Sequence, residues 1–273
     1  MTHRRETRGS LWWVYAFLRT ASCWALLAIL TVGVASVYIP AVIVRREGSL
    51  ARSLEWFWVW CILRASNVKL SARGLDNVAA GSSYIVMANH RSMYDIPVLH
   101  YLLGRDVLGR GRDLRWIGKQ ELVRVPFLGW AFEASRHVAI DRDNRVRAIA
   151  ALEAAAAASE QGVSFIIMPE GTRSADGRLL PFKKGGFHLA IDTGLPILPV
   201  AIRGSEELMR KGEWWILPGA IDVVVRPAIE TVRWEKDRLE ELIGRVREEI
   251  QAALGEDPEP LAVPRRGAHR SAT

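Results

Sequence analysis

Cysteine is scarce in this sequence. The 273-residue chain holds two, Cys23 and Cys61, and both lie in apolar stretches. Two thiols are too few for a disulfide scaffold or for a zinc site built from cysteines. A single pairing between them is possible, and the alternative is two small buried hydrophobic side chains. No cluster of histidine and acidic residues has the spacing of a metal site, so we expect no metal.

The sequence also lacks a helix-turn-helix, a zinc-finger spacing and the aromatic signature of an RNA-binding domain. Its formal net charge of +7 therefore indicates acidic partners other than nucleic acid. An anionic membrane surface and acidic ligands are the partners that we expect.

Charged residues are absent from residues 21–44. A helix of this length extends about 36 Å, which exceeds a hydrocarbon core of about 30 Å. The basic flank at residues 3–5 resembles that of a signal peptide. However, the apolar run is too long, and no small-residue cleavage site follows before Arg45, so we expect the segment to be retained.

A second stretch, residues 50–66, is rich in tryptophan but also carries charges. Six of the eleven tryptophans of the chain fall in the first sixty residues, and indole rings favour the headgroup level of a membrane. This helix is predicted to lie in the interface or to return beside the first as a hairpin. A tryptophan-rich helix packed on the following domain is the other interpretation. Residues 1–66 are thus predicted as a membrane-embedded helical segment.

Residues 67–255 show short apolar strands alternating with helices, which predicts an α/β domain with a mixed sheet flanked by helices. Asn144 can cap one helix, and Gly162 can end it. The tail, residues 256–273, is predicted to be disordered. Strands are predicted at 68–73, 84–88, 114–118, 137–140, 163–168, 197–202 and 221–225, and helices at about 92–103, 144–160, 184–193 and 234–254.

Two polar motifs follow two of these strands. Asn-His-Arg-Ser-Met-Tyr-Asp occupies residues 89–95, and Pro-Glu-Gly-Thr-Arg-Ser occupies residues 169–174. Open α/β sheets place their sites at the carboxyl ends of the strands. We therefore expect the two motifs to meet in one cleft.

The first motif offers His90 as a base and Asp95 as the acid that orients it. Residues five apart on a regular helix point about 140° away from each other, so the pair can meet only if His90 precedes the helix and Asp95 lies in its first turn. Asn89 or Ser92 is expected to cap that helix. The simpler interpretation is that His90 and Asp95 cap the helix and have no chemical role.

Together the two motifs resemble those of the glycerolipid acyltransferase family, and most closely its bacterial 1-acyl-sn-glycerol-3-phosphate acyltransferase branch. Further blocks follow in the order of that family, and the resemblance spans about residues 68–227. The blocks are Lys-Gln-Glu-Leu at 119–122, Pro-Phe-Leu-Gly at 126–129, Ile-Asp-Arg at 140–142, Phe-Lys-Lys-Gly at 182–185 and Leu-Pro-Val-Ala-Ile at 198–202.

This resemblance implies an enzyme that transfers a fatty acyl group from acyl-CoA or acyl carrier protein to the sn-2 hydroxyl of lysophosphatidic acid, giving phosphatidic acid. His90 would be the general base, and no cofactor is implied beyond the acyl donor. Lys119 and Arg173 would bind the acceptor phosphate. Supporting residues of the substrate site would be Glu170, Gly171, Thr172 and Pro199.

Several roles stay open from the residues alone. Glu170 is expected either to orient Arg173 or to contact acceptor hydroxyls, while Arg173 could instead pair with Glu170 or Asp141. Lys119 could be an ordinary surface lysine. Pro199 is expected to shape a strand edge near the acyl site. His137 and His188 are predicted to be structural, since neither has a carboxylate at a useful spacing.

Other functions fit parts of the pattern. The same chemistry could act on glycerol 3-phosphate, a lyso-ornithine lipid or another lysophospholipid. A non-catalytic membrane lipid-binding protein and a metallophosphoesterase are alternatives from other classes. Because acyl donors are cytosolic, we expect the cytoplasmic (inner) membrane as the location, with the domain facing the cytoplasm.

Overall fold

The computed structural model describes residues 9–44, 49–104, 113–141, 144–159 and 162–255. The predicted turn at residues 45–48, Arg142 and the predicted tail at residues 256–273 lie outside the described residues.

The N-terminal segment starts with helix α1 (Ser10–Val44), which begins well before the uncharged run at residue 21. Among the described residues, α1 is the helix that is long and apolar enough to cross a membrane. Only 17% of the residues in its most apolar eighteen-residue window are buried. This low share distinguishes α1 from the core helix of a globular domain. Cys23 on α1 and Cys61 on the next helix are both free thiols.

Helix α2 (Ser49–Ala65) returns beside α1. Trp58 Nε1 donates a hydrogen bond to Thr31 Oγ1 across the helix pair at 3.1 Å. Val59 and Leu63 of α2 are buried in the core of the following domain. α2 therefore both returns beside α1 and packs on the domain, and its placement in a membrane interface stays a prediction.

Within the described residues, seven strands form one sheet in the order β1-β7-β6-β2-β5-β3-β4. Neighbouring strands run parallel except β6 and β7, which are antiparallel. The predicted mixed sheet is confirmed. The strands are β1 (Val68–Arg73), β2 (Ile85–Ala88), β3 (Asp113–Lys119), β4 (Val138–Ile140), β5 (Val163–Ile167), β6 (Ile197–Arg203) and β7 (Gly219–Val225).

The helices of the domain are α3 (Asp95–Leu103), α4 (Leu128–Ala134), α5 (Arg145–Ser159), α6 (Gly185–Thr193), α7 (Ser205–Leu208) and α8 (Leu239–Gly255). The sequence pattern does not predict α4 and α7, because helices of seven and four residues are too short to show an apolar stripe. Asn144 Oδ1 accepts a hydrogen bond from Arg147 N at 3.1 Å, so its predicted capping of α5 is confirmed.

Both faces of the sheet are covered by helices. Alternate residues of β2 point to opposite faces, so Val86 packs with α2 and α3, while Ile85 packs with α5, α6 and α8. All four residues of β2 are buried. Fully burying an aliphatic side chain of this size contributes about 1.5–3 kcal/mol, so the strand that precedes the first motif is held firmly in the core.

Tyr38 joins α1 to both α2 and the domain. Its hydroxyl donates to Glu55 Oε1 on α2 at 2.7 Å and lies 2.6 Å from Ser135 Oγ, which follows α4. The three side chains line a cavity between the helix pair and the domain.

Two histidines share this cavity with Glu55. His100 Nε2 lies 3.7 Å from Glu55 Oε2, and His137 Nε2 lies 3.9 Å from Glu55 Oε1. Burial raises the pKa of Glu55 to about 7 and lowers the pKa of His100 to about 4. The carboxylate beside His137 comes from α2, far away in sequence, so no sequence spacing could show it, and the structural role of His137 stays a prediction.

We expect Tyr38→Phe to lower the free energy of unfolding by about 1–3 kcal/mol, because Glu55 loses a hydroxyl donor inside the cavity. The measurement is a chemical unfolding curve in detergent. Tyr15→Phe changes an exposed tyrosine on the same helix and should shift the free energy by less than about 0.5 kcal/mol. Equal midpoints for the two variants would contradict this role of Tyr38.

Candidate active site

The main chain of His90 is held by the second polar motif. His90 N donates to Glu170 Oε1 at 2.7 Å, and Ser174 N donates to His90 O at 2.8 Å. These contacts form because β2 and β5 are adjacent parallel strands, which end at the same edge of the sheet. The two motifs, eighty residues apart, thus meet as expected.

The side chain of His90 is held by Asp95. His90 Nδ1 lies 2.8 Å from Asp95 Oδ2, and the same oxygen accepts hydrogen bonds from Arg91 N at 2.7 Å and from Ser92 N at 2.8 Å. Asp95 is the first residue of α3 and is fully buried, whereas the His90 side chain is 17% exposed. The geometry matches the requirement that His90 precede the helix and Asp95 lie in its first turn.

The expected cap of α3 is wrong. Asn89 instead pairs with β6, since its Nδ2 donates to Ile202 O at 2.9 Å and its Oδ1 accepts from Ile202 N at 2.7 Å. Ser92 Oγ donates to Met209 O at 2.9 Å and accepts from Tyr94 N at 3.3 Å, ahead of the first helical residue. The reason is that the Asp95 carboxylate itself accepts the N–H groups of Arg91 and Ser92, which leaves Asn89 free for a long-range contact.

Glu170 is buried, and both its oxygens accept backbone hydrogen bonds. The second acceptor contact is Leu180 N to Glu170 Oε2 at 2.9 Å. Burial raises the pKa of the Glu170 carboxyl, although the two backbone donors oppose the shift. Within the described part of the chain Glu170 makes no hydrogen bond to Arg173, so the structure places it as a brace of the His90 backbone. Gly171, at φ +70°, makes the tight turn that follows.

The two proposed phosphate ligands lie at the ends of neighbouring strands. Lys119 ends β3 and is exposed, and its Nζ lies 2.5 Å from Glu121 Oε1. Arg173 follows β5 and is half-buried; in the described ranges it has no hydrogen bond or ion pair, with Glu170 and Asp141 included. Thr172 beside it is exposed.

Other candidate residues are placed elsewhere. Pro199 is buried inside β6, paired in register with Met87, and so does not shape the strand edge. Its carbonyl still accepts a hydrogen bond from Arg226 N at 2.9 Å, so the chain after β7 stays paired with β6 although the proline has no N–H to donate. Asp141 forms an ion pair with Arg147.

Arg91 is a structural residue of the site that no motif or spacing pointed to. Its Nη1 donates to Glu206 Oε1 at 2.9 Å and its Nη2 to Gly177 O at 2.6 Å. Arg91 thus ties α7 and the loop after β5 to the turn that carries His90. A charge run or spacing could not reveal it, because its partners are about a hundred residues away.

Comparisons with known proteins agree with this geometry. A family model described as Acyltransferase matches residues 69–203. A protein from Limnanthes alba named 1-acyl-sn-glycerol-3-phosphate acyltransferase is 33% identical over 195 residues, which cover 71% of this chain and 66% of that protein. A protein of the same name from Pseudomonas aeruginosa is 31% identical over 174 residues, which cover 63% of this chain and 64% of that protein. The chain thus matches slightly less than two thirds of the length of these curated relatives.

A solved structure has the same fold. It is the 1-acyl-sn-glycerophosphate (LPA) acyltransferase PlsC from Thermotoga maritima, with a TM-score of 0.72 and 26% identity, covering 88% of this chain and 96% of that one. With the family match over residues 69–203, this likeness identifies an acyltransferase domain in the chain. The resemblance seen in the sequence is confirmed.

We expect Glu170→Gln to loosen the turn that carries His90, because an amide has one acceptor oxygen in place of two and leaves a backbone N–H unpaired. The loss should be about 1–3 kcal/mol. Hydrogen exchange measures it, and the amide protons of His90 and Leu180 should exchange faster. The exposed Glu207 supplies the control variant Glu207→Gln. Unchanged protection at both amides would rule out the bracing role.

Proposed function

We propose that this protein transfers a fatty acyl group from acyl-CoA or acyl carrier protein to the sn-2 hydroxyl of lysophosphatidic acid, giving phosphatidic acid. The observation that carries the proposal is the 2.8 Å contact between His90 Nδ1 and Asp95 Oδ2 in a domain of this family. The printed names of the plant and bacterial relatives and of the Thermotoga structure support this acceptor.

His90 acts as the general base in the proposed reaction. Asp95 Oδ2 accepts hydrogen bonds from two backbone N–H groups, and His90 Nδ1 is the third donor to the same oxygen. The ring proton therefore lies on Nδ1, and Nε2 keeps a free lone pair. Nε2 takes the proton of the acceptor hydroxyl while the hydroxyl oxygen attacks the thioester carbonyl carbon. The C–S bond then breaks, and the imidazolium returns the proton to the leaving thiolate.

The attack is direct in this proposal, without a covalent acyl-enzyme. The sequence contains no Gly-x-Ser-x-Gly motif, the strand-to-helix turn that presents a serine nucleophile in many hydrolases. The hydroxyl of the lipid takes the place of that serine beside His90.

Arg173 and Lys119 bind the acceptor phosphate in this proposal. Arg173 follows β5 and Lys119 ends β3; these strands are parallel neighbours, so both residues lie at the same edge of the sheet as His90. The guanidinium of Arg173 has a planar fork that suits two phosphate oxygens, and its lack of a partner in the described residues leaves that fork available. Lys119 is the weaker ligand, since Glu121 already shares its charge.

The N-terminal helices hold the enzyme on the cytoplasmic membrane in this proposal, with the domain on the side of the cytosolic acyl donors. α1 is attached to the domain near its start, where Ile216 N donates to Thr20 Oγ1 at 3.1 Å, and further along at Tyr38 and Ser135. A helix that is held against its domain at two distant points lies along that domain. This arrangement favours insertion of its exposed face into one leaflet over an independent span.

Turnover by the purified protein in detergent tests the proposal. The acceptors are lysophosphatidic acid, glycerol 3-phosphate and a lyso-ornithine lipid, each with acyl-CoA and with acyl carrier protein as donor. Lysophosphatidic acid should give the highest kcat/KM. Faster turnover on another acceptor would reassign the substrate, and absence of turnover in folded protein would favour a lipid-binding role.

We expect His90→Ala to lower kcat by about 10² to 10⁴, the usual cost of losing a general base. Asp95→Asn should be nearly as damaging, because the amide no longer fixes the tautomer of His90. Steady-state kinetics and circular dichroism measure rate and fold together. His188→Ala on α6 is the control and should keep its rate; a comparable rate in folded His90→Ala would refute the mechanism.

We expect Arg173→Lys to lower kcat/KM for the acceptor by roughly tenfold to a hundredfold, because an ammonium cannot form two parallel bonds to phosphate. Lys119→Ala should mainly raise the acceptor KM. Kinetics with acceptor and donor varied separately distinguish the two sides. Lys69→Ala, an exposed lysine on β1 at the far end of the sheet, is the control. A defect confined to the donor side would assign these residues to the donor phosphates.

A further inference from the structure

The loop between α7 and β7 forms an aromatic cluster with the start of α1. We define residues 210–217 as the aromatic loop. The ring of Trp215 lies 5.6 Å from that of Trp13, and the ring of Trp214 lies 5.7 Å from that of Phe17. Trp214 and Trp215 also contact each other at 4.9 Å. A loop that only joins a helix to the next strand does not need several large aromatic rings. The cluster therefore indicates a further role for this loop.

Two hydrogen bonds hold the loop on α1. Trp24 Nε1 donates to Trp214 O at 2.9 Å, and Ile216 N donates to the buried Thr20 Oγ1 at 3.1 Å. Ile216 itself is buried. The backbone of the loop is therefore attached to the helix that carries the apolar surface.

The outer rings of the cluster stay exposed even though the backbone is attached. Trp214 is 44% exposed, Phe17 is 51% exposed and Trp13 is 39% exposed. They continue the exposed apolar face of α1, where the neighbouring Val14 and Leu18 are also exposed. An apolar surface of this kind, shared by a helix and a separate loop, is typical of contact with a membrane or a partner.

The charges beside the rings favour a membrane. Arg210 is half-buried and Lys211 is exposed, and neither forms an ion pair with a residue that the structure describes. Indole rings favour the headgroup level, and lysine or arginine close to them is attracted to anionic lipid.

The loop lies at the sheet edge that carries His90. β7 is antiparallel to β6, and Arg203 at the end of β6 pairs with Asp222 near the start of β7, so the connection between them falls at the carboxyl end of β6. Ser92 Oγ donates to Met209 O at 2.9 Å, immediately before the aromatic loop. The catalytic turn is therefore in direct contact with the residue that precedes the loop.

We propose that the aromatic loop, with Trp13 and Phe17, is a second membrane contact of this protein besides the apolar helix face. Its rings lie at the headgroup level of the bilayer, and Arg210 and Lys211 bind anionic headgroups. This contact sets the sheet edge that carries His90 against the lipid surface.

A spin label at position 214 tests the contact. Trp214→Cys is made in full-length Cys23→Ala/Cys61→Ala protein, labelled with a nitroxide and reconstituted into vesicles of phosphatidylglycerol and phosphatidylcholine. Relaxation by oxygen and by a water-soluble nickel complex measures the depth. We expect the label to lose most of its nickel accessibility. The control is Val232→Cys, an exposed residue beside the amino end of β6, which should stay accessible to nickel.

The charges are tested in the same labelled protein. Arg210→Glu/Lys211→Glu should restore nickel accessibility at position 214 in phosphatidylglycerol vesicles and change little in pure phosphatidylcholine. A label at 214 as accessible as the one at 232 would overturn the membrane contact, and an unchanged depth after charge reversal would overturn the role of the two cations. No turnover is measured, so these outcomes do not depend on the proposed acyl transfer.

Discussion

The site depends on the hydrogen bonds that fix the main chain of His90. Glu170 accepts its N–H and Ser174 donates to its carbonyl, so the turn after β2 is held by the loop after β5. This is possible only because the two strands are parallel neighbours and end together. With the backbone held in this way, the bond from His90 Nδ1 to Asp95 needs little further ordering, since only the two side-chain torsions of His90 remain to be fixed.

Much of this arrangement could be predicted from local sequence. The strands before both motifs are short apolar runs, and burial on both faces follows from that pattern. The spacing of His90 and Asp95 excludes a pair on one helix face, so a turn followed by a helix was the geometry that the residues allowed. Such deductions use neighbours in the chain, where covalent geometry limits the choices.

The contacts that failed prediction join distant segments. Asn89 has the chemistry of a helix cap, but it pairs with Ile202 of β6, because Asp95 already accepts the N–H groups of the turn. Glu170 is a second example: its carboxylate accepts hydrogen bonds from backbone N–H groups and does not pair with Arg173. A polar side chain in a loop has several partners of equal chemistry, and the sheet order decides among them. That order, with β7 between β1 and β6, cannot be predicted from any local sequence pattern.

The sheet edge that carries His90 also receives the N-terminal helices and the aromatic loop, since β1 follows α2 and begins beside the start of β7. The proposed reaction joins an acceptor held in the bilayer to a donor that arrives from water. A base buried away from the lipid would require the acceptor to leave the membrane, and moving its chain into water costs about 0.8 kcal/mol per methylene. A base at an edge bordered by apolar helix and indole rings avoids that cost, because the hydroxyl reaches His90 while the chain stays in lipid.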